Sequence, residues 1–88
     1  MKIDIIKFGE ILISRPAGKE AFLAAKAYLL KALQPREGII IDFAGVKVLS
    51  PSWADEFITQ IKQMYKKNKI TFLNITNPSV KATLAAIK

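Results

Sequence analysis

The apolar positions of this chain change period several times, and each change marks an element. Residues 2–8 and 11–14 are rich in Ile, Leu and Phe, with Gly9-Glu10 between them. Glycine at the first central position is what a type II′ turn requires, so the spacing predicts a β-hairpin. The alternation slips phase between Ile3/Ile5 and Ile6/Phe8, the mark of a bulge or an edge strand. From Pro16 the period becomes helical. Phe22, Ala25, Leu29 and Leu33 form one stripe over a helix of about 17 residues, which Pro35 stops. Leu23, Tyr28 and Leu30 fall outside that stripe, an apolar surplus that a homodimer would cover.

Residues 38–43 open on Gly38 and run through Ile39, Ile40 and Ile41 to Asp42 and Phe43. A continuous apolar run of this length predicts a strand buried on both faces, the central strand of the sheet. Residues 44–49 then cross to a second helix that opens at Ser50-Pro51-Ser52 and extends to about Lys66. Its inner face carries Phe57, Ile58, Ile61 and Tyr65, and its outer face Asp55, Thr59, Lys62 and Lys66. Residues 69–75 make a last strand, and Asn77 caps a short final helix with Pro78 in its first position. The order β-β-α-β-α-β-α predicts an α/β fold, a small mixed β-sheet packed against helices in one domain over residues 1–88.

Composition narrows the chemistry more than the fold. The chain has no Cys and no His, which removes disulfides, thiolate nucleophiles and the commonest general base and metal ligand. No Walker, Rossmann or metal-ligand motif is present, so no cofactor, no metal and no enzymatic activity are expected. Net charge is +7, but twelve of the fourteen cations are lysine, a weaker bidentate reader of phosphate or bases than arginine. The one cluster, Lys62, Lys66, Lys67 and Lys69, sits where a helix C-terminus favours cations. A nucleic-acid interface through these lysines is a disfavoured alternative, since no aromatic residues interleave with them for base stacking. No apolar run reaches membrane-spanning length, and Met1-Lys2-Ile3-Asp4 does not resemble a signal peptide, so no membrane insertion and a cytoplasmic address are expected.

Ligands of open α/β sheets meet the loops after the carboxyl ends of the strands. That rule gathers Arg15, Asp42, Ser50 and Ser52 at one edge, with residues 74–77 beside them. Ser50 before Pro51 reads as a helix cap, and Ser52 with Asp55 three residues on reads as a capping box. Asp55 and Glu56 suit the positive end of the helix and also point outward, where a basic partner would meet them. Trp53 sits at the margin of the apolar face, either as a lid on the core or as an interface anchor. A small-molecule or nucleotide sensor at this edge is a further alternative.

Residues 41–46, Ile-Asp-Phe-Ala-Gly-Val, and 49–57, Leu-Ser-Pro-Ser-Trp-Ala-Asp-Glu-Phe, carry a recognisable pattern together with Ile13-Ser14-Arg15. In combination they resemble the bacterial STAS-like domain family of unknown function, over about residues 10–80. That family shows a Ser-Arg pair, a strand ending Asp-Phe, a Gly-Val, and a helix opening Ser-x-Ala-Asp-Glu with an aromatic at x. Wider relatives are the STAS domains of anti-sigma-factor antagonists, which bind histidine-kinase-like ATPases and are switched by serine phosphorylation. The resemblance implies a STAS-like fold and a regulatory module that docks such an ATPase through Ser50, Ser52, Trp53, Asp55 and Glu56, with Arg15 and Asp42 shaping that edge. Pro51 stands where those antagonists carry the phosphoacceptor and has no hydroxyl, which leaves Ser52 and Ser50 as the candidate phosphorylation sites.

Overall fold

A computed structural model describes residues 1–87. Strands β1 (Lys2–Asp4), β2 (Ile11–Leu12), β3 (Ile39–Asp42), β4 (Val48–Leu49) and β5 (Ile70–Leu73) alternate with three helices. These are α1 (Arg15–Tyr28), α2 (residues 51–64) and α3 (Pro78–Ile87). Sheet order is β1-β3-β5 in one sheet and β2-β4 in the other, and every pairing is parallel. The expected central strand is confirmed. Ile39 and Ile41 of β3 have no solvent exposure, and β3 bonds to β1 on one side and β5 on the other.

The expected hairpin does not form, and with it goes the mixed character of the sheet. β1 pairs with β3 in the register Ile3↔Ile41, and β2 pairs with β4 in the register Leu12↔Leu49, all in the same parallel sense. The two sheets are thus successive stretches of one strand pair. They are interrupted by residues 5–10 on one strand and 43–47 on the other. The phase slip in the sequence marks the interruption. Ile5–Phe8 is a 3-10 turn that buries Ile5 under the sheet and swings Phe8 across to Trp53 and Phe57. The facing turn needs Gly45 at φ +85°, where a Cβ would lie 3.2 Å from the Ile6 side chain. The segment expected to be a plain crossover, residues 44–49, therefore contains this turn and then the short strand β4.

Ser14 caps α1, its Oγ accepting the Ala17 N–H at 3.2 Å ahead of Pro16. The helix ends sooner than its apolar period predicts, at Tyr28, and continues as a 3-10 turn, Leu30–Ala32. That tightening rotates Leu30 inward to 2% exposure, so it does not belong to an outer apolar face. Leu23 and Tyr28 do remain exposed. α2 is continuous but not uniform. Pro51–Ala54 and Gln60–Met64 are α-helical, and Asp55–Thr59 between them is one π-helical turn. Its buried face carries Trp53, Ala54, Phe57, Ile58 and Ile61.

α3 closes the open side of β4 with polar groups rather than with another strand. Asn77 caps it as expected, Oδ1 accepting the Ser79 and Val80 N–H groups at 2.7 and 3.3 Å. Its Nδ2 donates to the Lys47 carbonyl at 2.9 Å. Ser79 Oγ accepts the Leu49 N–H at 3.1 Å, and the Thr83 hydroxyl donates to the Leu49 carbonyl. The backbone groups of a two-residue strand are satisfied this way on the side away from β2. Among the described residues no helix is long and apolar enough to cross a membrane.

Candidate functional site

Because β2 and β4 run parallel, the helices that follow them start side by side. Ser50 ties the two starts together. Its N–H donates to the Leu12 carbonyl at 2.8 Å, and its hydroxyl donates to the Ile13 carbonyl at 2.7 Å. The same oxygen accepts the Trp53 N–H at 3.2 Å, which makes Ser50 the cap of α2. The expected capping box does not form, because Ser52 lies inside the first helical turn rather than ahead of it. Among the described residues nothing hydrogen-bonds the Ser52 hydroxyl, whereas the Ser50 hydroxyl is committed as donor and acceptor.

One turn further along, the π-helical segment presents two carboxylates to α1. Arg15 Nη1 lies 3.0 Å from Asp55 Oδ2 and 3.8 Å from Glu56 Oε2. The guanidinium holds the Asp55 carboxyl below its ordinary range. Beside this triad Lys19, Leu23 and Gln60 edge a shallow hollow of about 280 Å³ between α1 and α2. Arg15, Ser52, Asp55 and Glu56 therefore share one partly exposed surface across the helix pair, 40 residues apart in sequence at the Arg15–Asp55 contact. π-turns inside α-helices occur often at functional sites, and this one sets the two acids against the arginine.

Two of the expected site residues lie elsewhere. Trp53 is 1% exposed, its ring stacked on Phe57 at 4.9 Å and 21° and tilted against Phe8 at 6.2 Å. It is a core residue, packed against the Phe8 and Phe57 rings. Asp42, 5% exposed, belongs to the carboxyl ends of β3 and β5, not to the ends of β2 and β4. Its Oδ1 accepts the Ala44 N–H at 2.9 Å and Asn74 Nδ2 at 2.8 Å, and its Oδ2 faces Lys2 Nζ at 3.2 Å. Asn74 adopts φ +57° to reach it, a conformation asparagine tolerates better than most residues. The strand-end rule gathered one site; the interrupted strand pair splits it in two. Lys2, Lys19 and Gln60 escaped the sequence reading, since no local pattern ties them to partners so distant. The Lys66, Lys67 and Lys69 cluster lies exposed beyond the opposite end of α2, while Lys62 sits over the Phe72 ring at 5.6 Å.

The Asp42 clamp carries a pH signature. Hydrogen bonds from Asn74 and the Ala44 amide, with Lys2 adding to them, hold its carboxyl below the ordinary range. A carboxylate whose folded pKa is depressed contributes stability above its unfolded pKa of about 3.9 and loses it as pH falls through the folded value. In urea denaturation the stability gap between the wild type and Asp42→Asn is expected to be widest near neutrality and to close in acid below about pH 4. A gap that stays constant across that range would show that the clamp does not work through the charge.

The model of the family described as a STAS-like domain of unknown function matches residues 25–80, more than half of the chain. The chain belongs to that family. The matched span of the STAS-like domain includes Asp42, Ser50, Ser52, Asp55 and Glu56, and leaves Arg15 outside. Comparison with curated proteins finds no match, and comparison with solved structures finds none either. An α/β domain with a parallel sheet and three helices is consistent with a STAS-like fold.

Proposed function

We propose that this STAS-like domain is a non-enzymatic cytoplasmic regulatory module that docks a protein partner, a histidine-kinase-like ATPase, through the start of α2. The observation that carries this reading is the partly exposed Arg15–Asp55–Glu56 triad, which joins the N-terminal turns of two helices into one charged surface. Ser52 stands at its margin with an uncommitted hydroxyl in the first turn of α2. A phosphate there would be welcomed by the positive helix end and opposed by Asp55 and Glu56, three and four residues on. Modification of Ser52 thus changes the charge presented to the partner without touching the core, and a switch needs that separation. Ser50 is the poorer acceptor, since phosphorylating it breaks the bond to the Ile13 carbonyl and removes the cap.

The test starts with a photo-crosslinking residue in place of Ser52, used in the source cell to capture and identify the partner. Binding of that partner is then measured for wild type and for the Asp55→Arg/Glu56→Arg double variant, with circular dichroism as the check on folding. Reversing both charges is expected to weaken binding about ten-fold or more, the scale of two partly exposed charge contacts turned repulsive. Unchanged affinity would remove the start of α2 as the docking surface.

A further inference from the structure

On the other flank of α1 a second surface is open. The β2 edge there has no neighbouring strand among the described residues. The Glu10 carbonyl accepts from the Lys47 and Val48 N–H groups, and the Leu12 carbonyl from the Ser50 N–H. Alternation along a strand then aims the Ile11 N–H and C=O, and the Ile13 N–H, away from β4. Ile11 and Ile13 are 62% and 57% exposed. A groove of about 380 Å³ runs between this edge and α1, walled on the helix side by Ala17, Ala21 and Ala24.

Natural sheets guard such edges with charge, proline or bulges. β1, which precedes β2 on the same side of the strand pair, is guarded by Lys2 and Asp4, whose side chains lie 3.5 Å apart. β2, only two residues long, carries no charge or proline of its own. In a chain of net charge +7 the groove has no lysine or arginine in its lining, and its one ionisable residue is Glu20. Among the described residues Glu20 has no ion-pair partner. We infer that the β2 edge and its groove receive an extended apolar segment of a partner protein, added to the sheet as a parallel or antiparallel strand and carrying one basic residue opposite Glu20. The alanine wall lets that strand approach closely, and the free backbone groups of Ile11 and Ile13 supply its hydrogen bonds. A second copy of this chain fits worse, because its own β2, Ile11–Leu12, carries no cation to set opposite Glu20 and the two copies repel through their net charge.

This surface is separate from the Ser52–Glu56 docking face, and its test does not depend on that reading. The probe is a displayed library of random octapeptides, selected on the folded full chain and on its Ile11→Lys and Glu20→Lys variants. Both replaced side chains are exposed, and thermal melts check that each variant stays folded. Selection on wild type is expected to enrich peptides that alternate β-branched or other apolar residues with one Lys or Arg. Ile11→Lys is expected to abolish the enrichment. Glu20→Lys is expected to shift the preference of a selected peptide from Lys to Glu at that position by about five-fold in affinity, as an attraction becomes a repulsion. No enrichment on wild type, or equal enrichment on the Ile11→Lys variant, would overturn the proposal. So would a dimer in sedimentation that Ile11→Lys converts to monomer, since a second copy would then be the occupant.

Discussion

Trp53→Ala is expected to cost the domain a large share of its stability. Truncating a fully buried aromatic costs about 3–5 kcal/mol, and a domain of this length has about 4–13 kcal/mol of stability in total. The position is worse than average for such a loss. The indole stacks on Phe57 and meets Phe8, so its removal opens a cavity lined by two rings from different segments of the chain. Neither ring can refill it without leaving the other. Trp53→Phe keeps part of the stack and is expected to lose much less. Because Trp53 is the only tryptophan, its own emission reports the state: blue-shifted and shielded from iodide in the wild type, red-shifted on unfolding. Chemical denaturation followed by circular dichroism measures the variant that has no tryptophan. A Trp53→Ala domain that folds with wild-type stability and loses only partner binding would restore Trp53 to the interface, the alternative that the sequence left open.

The parts of this structure that were legible are those written in local chemistry. Ser50 before Pro51 and Asn77 before Pro78 each place a helix start to the residue, because a cap satisfies backbone donors within its own turn, and Pro16 places the start of α1 to within one residue of Arg15. Three consecutive isoleucines identified the central strand, since only a position covered on both faces accepts them. The hairpin failed for the opposite reason. Gly9-Glu10 is a good local signal for a turn, but parallel pairing of β1 with β3 joins residues 38 apart, and no local pattern records that. The phase slip at Ile5/Ile6 was the visible trace of the 3-10 turn, and it admits either a bulge or a break. Similarly, helical period alone could not show that α1 tightens after Tyr28 and turns Leu30 inward. At the site, the strand-end rule set Arg15 beside the start of α2 with Ser50 and Ser52, while Asp55 and Glu56 were read only from the helix dipole and the family pattern. It misplaced Asp42, because the rule assumes one uninterrupted sheet edge. Trp53 followed the buried stripe of α2, one turn ahead of Phe57, and that spacing favours the core.

Gly18→Ala is where sequence propensity and structure give opposite signs. In the interior of an exposed helix alanine is more favourable than glycine by about 1 kcal/mol. Gly18 lies in α1 at the crossing with α2, and a Cβ there would stand 2.6 Å from the Trp53 carbonyl oxygen and 3.0 Å from its Cα. These are backbone atoms in the first turn of a capped helix, so no rotamer change relieves the contact. The helices must separate instead, and overpacking of that kind costs about 1–3 kcal/mol or more. The expected net result is a loss of about 1–2 kcal/mol, read as a lower urea midpoint at unchanged m. Gly38→Ala is the control. Its added Cβ would meet nothing nearer than the Lys69 carbonyl at 3.7 Å, so that variant is expected to match or slightly exceed wild-type stability. The same displacement reaches the site, because Arg15 on α1 and Asp55 on α2 flank the crossing and their 3.0 Å contact depends on its spacing. Gly18→Ala should therefore weaken partner binding even under conditions where the variant is fully folded. If it gains the stability that propensity promises, the close approach of the two helices is not what holds the Arg15–Asp55–Glu56 surface together.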